Sequence, residues 1–144
     1  MNDKAANKEL VITRTFDAPR KLVYRAFTDP DQLSQWFGPV GFSVPRDTVE
    51  VDAKVGGPYR LTMVNDDDPT ERSPIIATLT EVIENELLVG VEESEGLQLR
   101  IELYDEGGKT RLVLRQGPFT QEMLDMTREG WESSFTKLDT LLTA

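Results

Sequence analysis

The chain has 144 residues, 38% of them apolar and 29% charged, and carries a formal net charge of −10. It contains neither cysteine nor histidine, which excludes disulfides, thiolate metal sites, the common zinc sites, and Ser-His-Asp or Cys-His catalysis. Its sixteen Lys and Arg are scattered, whereas nucleic acids and anionic membranes select a clustered basic face, so neither is expected as a partner.

No apolar run approaches the ~20 residues that span a bilayer. The polar opening MNDKAANKEL has no secretory apolar stretch, and a cytoplasmic location is expected. Residues 1–8 read as a flexible terminus and residues 9–144 as one domain. In ELVITRTF, Leu10, Ile12 and Phe16 alternate with polar neighbours, which predicts a strand. Pro19 opens a helix through PRKLVYRAFTD, with Leu22, Val23, Ala26 and Phe27 on one face. Asp29 suits the N-cap of a second short helix, with Pro30 at its first position. That helix sets Leu33, Trp36 and Phe37 on a common face and ends at Gly38-Pro39.

A run of strands follows. TVEVDAKV alternates Val49, Val51, Ala53 and Val55 against polar residues, GGP turns the chain, and YRLTMV alternates Tyr59, Leu61 and Met63. NDDDPTERS is a charged loop. PIIATLTEVI, ELLVGVEES, LQLRIELYD and TRLVLRQ supply four more strands, the last two joined by an EGGK turn. From Thr120 the period changes: Leu124, Thr127, Trp131, Phe135, Leu138 and Leu142 recur at three or four residues. This predicts an amphipathic helix of more than twenty residues, with Thr120 as N-cap and Phe119 stapled onto Leu124.

The expected fold is therefore α+β. A curved antiparallel sheet of about seven strands wraps a long C-terminal helix, and two short helices lie between strands 1 and 2. Each strand has one apolar side, and the last helix is the large element available to cover it. A strongly bent sheet cannot close completely on one helix. The gap is expected to hold a cavity of roughly 300–1,000 Å³, the size of ordinary ligand sites.

In order and spacing, TRTFDAPRKLVYRAFTDPDQLSQWFGP, VEVDAKVGGPYRLTM and EGWESSFTKLDTLL resemble the START-like (SRPBCC) superfamily. This is the helix-grip fold shared with the birch pollen allergen. Within it the chain is similar to homologues of the activator of the ninety-kilodalton heat-shock ATPase, over nearly all of residues 9–142. The resemblance implies a β-α-α-β6-α domain with a mostly apolar internal cavity. Members of the superfamily bind lipids, sterols, polyketides or plant hormones, and others are cyclases or parts of ring hydroxylases. The eukaryotic activator binds its chaperone through two domains, one of this type.

The candidate ligand-binding residues are Trp36, Phe37, Tyr59, Leu61, Met63, Trp131 and Phe135. Trp131 and Phe135 face the sheet, either as core or as a cavity wall. Trp36 either plugs the cavity or forms its lip, and Phe37 leans toward the core. Tyr59 and Met63 are expected to face the cavity. Arg60 and Tyr104 have the opposite parity and point to solvent unless a bulge turns them inward. Glu50 and Asp52 share a side, where they either pair with Lys and Arg or act as an acid–base or hard-cation pair. NDDDPTE lacks the ligand spacing and central Gly of a calcium loop, and VGGP lacks the features of a phosphate loop.

The leading expectation is non-catalytic binding of a small apolar or amphipathic ligand, without metal or cofactor. The alternatives are an interaction module for a heat-shock ATPase, and a cofactor-free cyclase or hydrolase. Either a monomer or a homodimer fits the sequence.

Overall fold

The computed structural model describes residues 5–144 of the chain. Of the predicted flexible terminus, residues 1–4 lie outside the described residues, and Lys8 already opens the first strand. The described residues form eight strands and three α-helices: β1 (Lys8–Phe16), α1 (Arg20–Thr28), α2 (Pro30–Trp36), β2 (Phe42–Ser43), β3 (Glu50–Val51), β4 (Pro58–Asn65), β5 (Arg72–Ile83), β6 (Leu87–Glu92), β7 (Leu97–Glu106), β8 (Lys109–Phe119) and α3 (Gln121–Leu142). The strands make one antiparallel sheet in the order β1-β8-β7-β6-β5-β4-β2, with β3 also pairing β4. The sheet curls around α3 in the α+β helix-grip arrangement.

Local chemistry sets the helix starts. The Asp29 carboxylate accepts from the Asp31 amide at 2.9 Å, with Pro30 at the first helical position. Thr120 Oγ1 accepts from the Met123 amide at 3.2 Å, and Phe119 and Leu124 are both buried beside that cap. These are the N-caps expected from the sequence.

Two local expectations are corrected. The strand expected over residues 48–55 shrinks to Glu50–Val51, because the chain turns back at Asp52. The Asp52 amide donates to the Pro58 carbonyl at 3.0 Å, and the Gly57 amide to that of Lys54 at 2.9 Å. A Cβ on Gly57 would stand 2.1 Å from the Asp52 oxygen, so only glycine permits this fold-back. Val55 consequently leaves the apolar alternation and is 67% exposed. On α1, Leu22 is 39% exposed, and Tyr24 joins Val23, Ala26 and Phe27 in the core instead.

The core beneath α3 is filled with aromatic rings. Phe16 and Phe135 meet edge to face with centroids 5.3 Å apart, and Phe27 and Trp36 do so at 4.8 Å. The buried Trp36 Nε1 donates to the Ala26 carbonyl at 2.8 Å, which leaves that indole no unpaired donor. Helix α3 packs on β1, β8, α1 and α2, over one side of the concave sheet. Among the described residues, no helix is long and apolar enough to cross a membrane.

Candidate binding groove and inner hollow

On the side of the concave sheet away from α3, the inward-facing residues are smaller. Strand β5 contributes Ile75, Ala77 and Leu79. Strand β6 contributes Leu88, Gly90 and Glu92, and β7 contributes Leu97, Leu99 and Ile101. With Phe37, Tyr59, Gln116 and Trp131 they line a hollow of about 60 Å³. A cavity that size takes a few small atoms, well below the roughly 300–1,000 Å³ of ordinary ligand sites. The large internal cavity expected from the sequence is therefore replaced by a small one. Inward side chains and the α3 aromatics fill most of the gap.

A second space opens beside the first. It is a groove of about 400 Å³ between the first half of α3, the Gly38-Pro39 turn and strands β4 and β5. Met63, Ser73, Thr127 and Gly130 line it, and Met123 and Met126 form an exposed rim. Groove and hollow share Phe37, Ile75, Gln116 and Trp131. Trp131 is the partition: its ring meets Phe37 edge to face at 5.4 Å, and its Nε1 donates to Gln116 Oε1 at 2.8 Å.

The seven residues picked from the sequence divide between these regions. Phe37, Tyr59 and Trp131 line the hollow, and Met63 lines the groove with Phe37 and Trp131. Trp36, Leu61 and Phe135 lie in the solid core and line neither space. Phe37 parts from Trp36 because it is the first residue past the helix: its ψ of 141° is extended, so its ring departs from the helical face. Gly38, at φ +95°, completes that break and packs against Met63.

Polar groups in the hollow are few. Burial drives the Tyr59 phenol far above its ordinary value, and its hydroxyl donates to the Phe27 carbonyl at 2.6 Å. Glu92 is raised above the ordinary carboxylate value, first by burial and second by the neighbouring negative charge of Glu95. Neither Gln116 nor Glu92 was among the ligand-binding candidates read from the sequence. Gln116 follows Leu112 and Leu114 at period two, a signal of an inward polar residue that could have been read. Glu92 was masked, because both parities of LLVGVE are apolar up to that point.

The other polar candidates face outward. Arg60 sits 3.6 Å from Glu50, Lys54 lies 3.3 Å from Asp52, and Arg111 stacks over the Tyr104 ring at 4.3 Å. Glu50 and Asp52 thus serve as solvent-side partners of basic residues. Among the described residues no cluster suited to a metal ion occurs.

The comparisons with known proteins agree with this architecture. The family described as Activator of Hsp90 ATPase homolog 1-like protein matches residues 17–143, and the chain belongs to that family. A crystal structure of a Nitrosomonas europaea protein superposes with a TM-score of 0.82 at 24% identity, covering 94% of each chain. The AHSA1 protein of Silicibacter pomeroyi gives 0.78 at 25% identity, covering 94% of this chain and 98% of its own. An AHSA1-like protein of Aeromonas hydrophila gives 0.80 at 16% identity, covering 93% and 94%. None of the curated proteins compared with the chain matches it.

Proposed function

We propose that the chain binds a small apolar or amphipathic molecule without acting on it covalently. The observation that carries this reading is the continuity of the two spaces: a groove of about 400 Å³ ends on the same Phe37, Gln116 and Trp131 that close the hollow. A ligand body lies in the groove against Met63, Met123 and Met126, whose unbranched, polarizable chains adapt to varied shapes. Its leading end enters the hollow past Trp131. Affinity comes mainly from buried apolar area, about 25 cal/mol per Å² before ordering costs.

The test is a thermal-shift series with alkanols and aromatic alcohols of graded size. Ligands raise Tm with concentration, because only the folded state binds them. Thr127→Trp, which places a large ring at the groove mouth, abolishes the rise. If no compound shifts the wild-type transition, this reading is wrong.

Family membership supports a second reading, stimulation of a heat-shock chaperone ATPase, for which the exposed Val40, Met123 and Met126 offer an apolar contact surface. Its measure is ATP turnover by an Hsp90-type chaperone with the chain added; unchanged turnover removes it.

A further inference from the structure

The polar groups of the hollow specify which end of a ligand enters it. Strands β6, β7 and β8 are neighbours, with Glu92 opposite Leu97 and Leu99 opposite Gln116. Glu92 and Gln116 therefore flank Leu97 and Leu99 on one sheet face, about 12 Å apart at Cα from ordinary strand spacings. The rest of the nearby lining is hydrocarbon: Ala77, Leu79, Leu88 and Ile101. Gln116 spends its carbonyl oxygen on Trp131, and Tyr59 spends its hydroxyl on Phe27. Glu92 remains as the ionisable group of the lining, and among the described residues no Lys or Arg is paired with it. A second carboxylate, Glu95, adds negative potential at the same end, and the whole chain is strongly acidic.

Resting on the ligand-binding reading, the geometry points to an amphipathic amine as the ligand class, its ammonium group seated in the hollow on the Glu92 carboxylate and its apolar body in the groove. A half-buried carboxylate among apolar walls disfavours anionic heads and gains most from a cation that also donates hydrogen bonds. The hollow is large enough for an ammonium and its first carbons, and too small for the body of the ligand, which the groove accommodates.

The experiment compares hexylamine, hexanol and hexanoate, which share one carbon chain, by Trp fluorescence titration and thermal shift at neutral pH. The wild type binds hexylamine about 10- to 100-fold tighter than hexanol, the range for a hydrogen bond to a charged group, and hexanoate weakest. Glu92→Gln removes the preference for the amine while hexanol affinity stays within about threefold. Glu93→Gln changes net charge equally at an exposed neighbouring position, and it leaves the preference in place. Equal binding of amine and alcohol by the wild type overturns the amine assignment and leaves the groove reading standing. So does an amine preference that survives Glu92→Gln, or one that Glu93→Gln removes as effectively. Failure of all three compounds to bind overturns both readings.

Discussion

Two halves of one concave sheet are built differently in this molecule. Beneath α3, strands β1 and β8 meet a continuous stack of rings, with Phe16, Phe135, Trp36 and Phe27 in edge-to-face or stacked contact. Across from it, β5 and β6 turn Ala77 and Gly90 inward, and a hollow of about 60 Å³ persists. The aromatic half fixes where the helix sits. The small-residue half cannot reach the helix and leaves room beside it. Tight packing and open space thus reside in different strands of the same sheet, and substitutions can address them separately.

The largest effect is expected in the aromatic half. Phe135→Ala removes a fully buried ring that contacts Phe16, Trp36 and Trp131. It should cost about 3–5 kcal/mol in chemical denaturation, the usual range for emptying such a site. A smaller loss would mean that the rings collapse into the vacancy and that the half is less rigidly packed than described.

Enlarging a residue sharpens the contrast, because the sign should differ between halves. Ala26 is fully buried against the ring stack, and its carbonyl holds the Trp36 indole. Ala26→Leu overpacks that site and should cost about 1–3 kcal/mol. At Gly90 an added Cβ meets Leu79 and Ala77 at 3.6 and 3.8 Å, ordinary contact distances. Gly90→Ala should stabilise by about 0.5–1 kcal/mol, since glycine weakens strand interiors, and it should lower ligand affinity. Equal signs in the two denaturation midpoints would abolish the distinction.

The smallest effect concerns pH. A carboxyl raised in the folded state contributes stability that is fully present below its unfolded value, near 4.5, and lost as pH rises through the folded value. Glu92 behaves this way, with burial and Glu95 as causes. Glu102 is the opposite case: its hydrogen bond from Arg100 lowers it, so its contribution holds above the ordinary value and fades on acidification. Thermal melts of Glu92→Gln should therefore exceed wild type at pH 7 and converge with it below about pH 4, the reference range for a carboxyl. Parallel curves over that range would show that Glu92 is not desolvated in the folded chain.

Much of the ring-filled half was legible in the sequence. The 3–4 residue period from Thr120 onward, the Asp29 and Thr120 caps and the alternation of Leu10, Ile12 and Phe16 are local patterns with local physical causes. The other half was less so. Phe37 and Trp36 share an apolar helical spacing, yet a single extended ψ sends one ring to the groove and the other into the core. Val55 continues a strand alternation that a glycine-only backbone contact at Gly57 interrupts. The size of the hollow depends on the distance between α3 and the middle strands, which no local period encodes. The recurrence of the family's motifs conveyed the fold and overstated the space inside it.

The hollow has a mechanical meaning as well. The loosely packed space between the middle strands and α3 is lost when the chain opens, so the folded form is the bulkier of the two. Hydrostatic compression therefore acts first on β5 and β6, while the interlocked rings under α3 offer little to squeeze.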